Sequence, residues 1–198
     1  AASAKEFLRF PIRLYKHVPQ WIRPLDADIQ KVFDREKNKN FRHGELVRWI
    51  LQDGGGQTIG RVAAFVNGKI VNKGNDQPTG GMGFFECIED REAAFMLFDA
   101  CRDWLVSQGM EAMDGPVNFG DRDKWWGLLV DGFDLEPNYN CNYNFPYYRE
   151  FFEAYGFEVY FRQFTYARKV YEPISDRLKE KADRIYADPN YTFRHIDL

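Results

Sequence analysis

The chain has 198 residues, with 27 basic and 30 acidic side chains for a net charge of −3, and it is 44% hydrophobic and 17% aromatic. That length holds one domain, or one domain and a piece of another, and the composition excludes a disordered chain. The near balance of charge gives no general pull toward nucleic acid or an anionic membrane, and no apolar run nears the ~20 residues of a membrane span.

In chain order, Ser3 with Glu6 three residues later reads as a capping box opening a helix through Phe7, Leu8 and Phe10. Pro11 is expected to interrupt or restart it, with Ile12, Leu14 and Tyr15 continuing the apolar face. A second helix is expected over Asp26 to Arg35, followed by a polar loop at Lys37 to Asn40. Leu46 to Leu51 and Ile59 to Val66 are β-rich runs joined across Asp53-Gly54-Gly55-Gly56, the clearest hairpin of the sequence. Asn67 to Thr79 has turn chemistry.

Gly80 to Gly115 then reads as a buried strand, a sharp turn, an amphipathic helix and a second short strand at Met110 to Met113. Ala93, Ala94, Leu97, Phe98, Cys101, Trp104 and Leu105 recur at helical spacing, and Gly109 stands where a left-handed stop is expected. This is a βαβ unit, with parallel strands and a right-handed crossover. A helix at Tyr147 to Tyr155 ends at Gly156. Phe157 to Val170 alternates as one or two strands, Pro173 to Tyr186 is an amphipathic helix, and Tyr191 to Ile196 has strand propensity.

The three cysteines, Cys87, Cys101 and Cys141, form no C-x-x-C, and His17, His43 and His195 lie far apart. The expectation is a reducing, cytoplasmic setting and no metal site.

The order of elements resembles the acyl-CoA N-acyltransferase (GNAT) fold. The segments FLRFPIRLYK, GFFECIEDREAAFMLFDACRDWL, GMEAMDGPVNFGDRDKWWGLLVDGF and NYNFPYYREFFEAYGF are similar to an uncharacterised bacterial GNAT-like family whose longer members carry a second, similar domain. The resemblance implies an α+β fold: a mixed, mostly antiparallel twisted sheet with helices on both faces and a central βαβ unit. It implies a GNAT-like domain over 1–172 that lacks the family's opening strand. The helix and strand of 173–198 would be a linker and the start of a truncated second domain. The activity it implies is acyl transfer from acyl-CoA, as cosubstrate, to a small amine. The alternative, a non-catalytic ligand-binding or scaffold domain, stays open. Partners would be a small molecule, not nucleic acid or membrane, and a homodimer through edge strands also stays open.

Catalytic GNATs hold the CoA pyrophosphate on a glycine-rich turn at a helix N-terminus, which places Ile88, Arg91 and Ala93 as the cofactor contacts here. The turn, however, reads Glu89-Asp90-Arg91-Glu92. A helix N-terminus favours an anion by roughly 0.3–1 kcal/mol, whereas a like charge ~5 Å away costs about 3 kcal/mol at an effective dielectric of ~20. The three carboxylates therefore oppose a phosphate, and the simpler reading is that they stabilise their own helix.

The family's pattern also makes Glu86 the candidate general base and Tyr147, or its neighbour Tyr148, the candidate acid toward the leaving thiolate, with turn and packing roles as the other reading of these tyrosines. For Glu86 the other reading is exposure to solvent or pairing with an arginine. Asn118, Asp121, Arg122, Asp123 and Trp125, with Tyr143, are the candidate substrate contacts: carboxylates, a cation and an indole in one loop suit a polar ligand, and equally suit a loop packed by its tryptophans.

Overall fold

The computed structural model describes residues 2–72, 74, 76–120 and 123–196. The chain divides into two compact units, Ala1–Tyr160 and Phe161–Leu198. The first contains α1 (Ala2–Leu14), α2 (Asp26–Phe33), β1 (Gly44–Gln52), β2 (Thr58–Asn67), β3 (Thr79–Cys87), α3 (Arg91–Ser107), β4 (Ala112–Asp114) and α4 (Tyr148–Tyr155). The second contains α5 (Asp176–Tyr186), where the Tyr186 and Phe193 rings lie 4.4 Å apart.

The four strands form one sheet in the order β1-β2-β3-β4, antiparallel except for the parallel β3–β4 pair. This is the expected α+β arrangement, a mixed, mostly antiparallel sheet with β3–α3–β4 as its βαβ unit. One face of the sheet, with Val62, Ala64, Met82, Phe85 and Cys87, packs on α3 and α4. The other, with Phe65 and Phe84, packs on α1, α2 and the loop after β4. Helices therefore cover both faces, as an alternating strand with two apolar sides requires.

Two local features set up the site. Between Arg61 and Ala63 of β2 the register on β3 slips from Glu86 to Gly83, and Phe84 takes φ 51°. The extra residue is a β-bulge, which moves every later side chain of β3 to the other face. Glu86 thereby stands opposite Arg61 on the α1 face instead of on the α3 face. At Gly83 a Cβ would lie 1.9 Å from the Val117 carbonyl, so only glycine lets the chain after β4 approach closely enough for the Val117 N–H to reach the Met82 carbonyl at 2.7 Å.

Several expectations are corrected. The first helix starts at Ala2, so Ser3 is not its cap, and Glu6 pairs with Arg13 instead. Pro11 neither breaks nor restarts this helix. Proline lacks the N–H that would bond the carbonyl four residues back, and that carbonyl, Phe7 O, accepts from Arg61 Nη1 at 2.5 Å. A 3-10 turn at Lys39–Arg42 overlaps the expected polar loop. No strand forms among the described residues of 157–170 or 191–196. Their alternation is real, but a strand needs a hydrogen-bonded neighbour, and Val159, Phe164, Tyr166 and Val170 are exposed.

Candidate functional site

Beyond Met82 and Val117 the chain after β4 leaves β3 and crosses the α1 face as a long loop. Side-chain amides hold this loop in shape. Asn144 accepts from Leu129 N at 2.8 Å and donates to Leu129 O at 3.1 Å, imitating a strand pair. Asn142 donates to Gly127 O at 2.7 Å, and the Trp125 backbone N–H donates to the Asn140 backbone carbonyl at 2.7 Å. Trp125 and Asn140 both take positive φ, 45° and 58°, a conformation that costs energy outside glycine and collects at functional positions.

The loop, α1 and the α1–α2 connection enclose a cavity of about 50 Å³, room for roughly three or four waters or a head group of that size. Glu86, Arg61, Trp125, Tyr143 and Tyr148 are among its walls. Arg61 Nε donates to Glu86 Oε2 at 2.5 Å, and their side chains are only 4% and 14% exposed. Glu86 Oε1 accepts no hydrogen bond from a described residue. The Trp125 indole N–H and the carboxamide oxygens of Asn118 and Asn140 are buried with no hydrogen-bond partner among the described residues. Native interiors leave few polar groups in this state.

The structure brings together three of the candidate site residues, Glu86, Trp125 and Tyr143, around this cavity. Asn118 is buried in the adjoining loop and Asp123 is exposed. Asp121 and Arg122 lie outside the described residues. Tyr147 does not line the cavity. Its hydroxyl donates to the Cys87 carbonyl at 3.0 Å, and burial, with Cys87 and Glu89 adding, raises its pKa far above the usual tyrosine value. Its neighbour Tyr148 lines the cavity, accepting from Cys87 N at 2.7 Å and donating to Cys87 O at 3.1 Å. Tyr143 donates to Phe133 O at 2.9 Å. Arg61 is the residue that reading the sequence missed, although a lone cation inside the apolar run IGRVAAFV was a signal, since a buried charge requires a partner.

The α3 start does not fit a CoA pyrophosphate. Asp90 is the N-cap, and its Oδ1 accepts from Glu92 N at 2.9 Å and Ala93 N at 3.1 Å, so two of the backbone donors a phosphate would use are taken. Arg91 is exposed and lies over Phe95, 5.2 Å from the ring centre. Ile88 N bonds Ile59 O at 3.0 Å. Removing this cap in Asp90→Ala is expected to cost about 1 kcal/mol in urea unfolding, and Asp90→Asn, which keeps an acceptor oxygen, much less. Equal losses in the two variants would show that the carboxamide cannot cap here. Among the described residues no group of three His, Cys, Asp or Glu side chains could hold a metal, and no helix is long and apolar enough to cross a membrane.

The fold and site thus define an α+β domain with a small cavity whose wall carries the buried Glu86–Arg61 ion pair. No protein-family model matches the chain. It is 30% identical over 153 residues to protein YghO of Escherichia coli, covering 77% of this chain and 38% of that protein. It is 36% identical over 141 residues to the bacterial ceramide synthase of Caulobacter vibrioides, covering 69% of this chain and 35% of that protein. The matched region thus spans little more than a third of these curated relatives. The solved structure of AAC(6')-Iy in complex with the bisubstrate analogue CoA-S-monomethyl-acetylneamine aligns with 84% of this chain and 91% of that one, at TM-score 0.49 and 15% identity.

Proposed function

We propose that this chain forms the amine-acceptor part of a GNAT-like N-acyltransferase, and that the acceptor is an amino alcohol. The observation that carries this is the Glu86 carboxylate, held by Arg61 in the cavity wall. A carboxylate with one oxygen uncommitted suits an ammonium. A ceramide is the amide of a long-chain amino alcohol, so the name of the Caulobacter relative supports the same substrate class. The cavity takes only a polar head, and a chain attached to that head would leave through its mouth. Glu86 holds the ammonium here, with Arg61 fixing the carboxylate. Acyl-CoA is the donor in this reading, and its phosphates are held away from the α3 start, because Asp90 occupies two of the donors there.

The Asp90 cap favours a second reading, a non-catalytic domain that binds the same ligand. Cys141 provides the test, since it is exposed and lines the cavity, whereas Cys87 and Cys101 are buried. Burial pushes the Cys87 thiol up to about 12, with Asp90 adding to the shift, so a thiol reagent is expected to modify Cys141 alone in the native protein. Ethanolamine and 2-amino-1-alkanols at millimolar concentration are expected to slow that reaction saturably, and Glu86→Gln to abolish the protection. Equal rates with and without amino alcohol would overturn both readings. Amide formation from acyl-CoA and amino alcohol by the full-length protein selects the transferase, whereas protection without turnover selects the binding domain.

A further inference from the structure

A second site lies between α1 and α2, over β1, and does not depend on the amine reading. A groove of about 780 Å³ there is flanked by Leu8 and Ile12 and carries Lys5, Arg9, Arg23 and Arg48. Arg23 is neutralised by Asp26 at 2.8 Å. The other three make no ion pair within 4 Å among the described residues, although the Arg9 charge is felt by Glu6.

Arg48 is the unusual one. Its guanidinium is half-buried, 4.3 Å from the Phe33 ring centre and 5.3 Å from that of Phe7, with no hydrogen-bond acceptor among the described residues. The nearby cation, Arg61, is already committed to Glu86 and to the Phe7 carbonyl. Burial first, and the Arg61 charge second, act against the charged form of Arg48. Ring faces stabilise a guanidinium only in part, and its five donors are left without oxygens. A buried charge normally has a partner, and here the groove in front of Arg48 offers two further cations instead.

We propose that this groove binds a phosphate group, held as a dianion by Arg48 with Lys5 and Arg9. The guanidinium fork matches phosphate geometry, and a cluster of three cations suits a doubly charged group better than a carboxylate. The phosphate is either that of a soluble molecule or that of a lipid head group lying over Leu8 and Ile12.

Thermal unfolding at constant ionic strength, with inorganic phosphate replacing chloride, tests this. A ligand that binds only the native state raises the melting temperature with its concentration. The wild type is expected to respond, and Arg48→Met to bind phosphate at least about tenfold more weakly. The Lys5→Gln/Arg9→Gln pair, both exposed and outside the core, is expected to bind about two- to fivefold more weakly. Phosphate also stabilises proteins by exclusion from their surface, so an equal rise in wild type and Arg48→Met would overturn the site, as would no rise in the wild type. Co-sedimentation with phosphatidylcholine vesicles containing phosphatidic acid, lost in Arg48→Met, assigns the phosphate to a lipid. A response to free phosphate without sedimentation assigns it to a soluble ligand.

Discussion

Arg61→Met is expected to destabilise the protein by about 3–5 kcal/mol, because it removes one partner of a buried ion pair. Arg61 is 4% exposed by side chain, and its loss strands two groups: the Glu86 carboxylate and the Phe7 carbonyl. The carbonyl has no second recourse, since its helical donor is missing at Pro11. The double variant Arg61→Met/Glu86→Leu removes both charges and is expected to recover most of the loss. It would remain about 1–3 kcal/mol below wild type for the unsatisfied Phe7 carbonyl. Equilibrium unfolding in urea of the wild type, both single variants and the double variant measures the coupling. A single-variant loss under about 1 kcal/mol would mean that water reaches the pair freely, and the cavity would then lose its fixed carboxylate.

That cluster also shows where sequence reading stops. The β1–β2 hairpin, the β3–α3–β4 unit and the stop of α4 at Gly156, φ 109°, were legible because each is written in local periodicity and turn chemistry. The acidic turn was legible too: Asp90 caps the helix that follows it. The face of Glu86 was not legible, because one bulge residue at Phe84 reverses the alternation and nothing in the run GFFEC marks it. The Arg61–Glu86 pair joins residues 25 positions apart, and the Phe7–Pro11–Arg61 link joins a helix defect to a strand cation. Both depend on tertiary register. The 157–170 segment fails in the opposite sense, since its alternation promised strands but hydrogen-bond partners decide whether strands form.

Phe98→Ala is expected to cost about 3–5 kcal/mol, the range for emptying a large aromatic site in a packed core. Phe98 is fully buried on α3 and meets Phe85 of β3 at 4.7 Å, Phe152 of α4 at 4.8 Å and Tyr155 of α4 at 4.9 Å between ring centres. One ring therefore joins the helix of the βαβ unit, its first strand and α4. Val106→Ala on the same helix is the control: Val106 is exposed and should change stability by less than about 0.5 kcal/mol. The cavity should respond as well, because α4 carries Tyr148, whose hydroxyl accepts from Cys87 N and whose ring packs edge-on against Phe85 at 5.0 Å. If Phe98 holds α4 in place, hydrogen exchange of the Cys87 amide should speed up in Phe98→Ala under native conditions, before global unfolding. Exchange that quickens only in step with global stability would show that α4 docks without this ring.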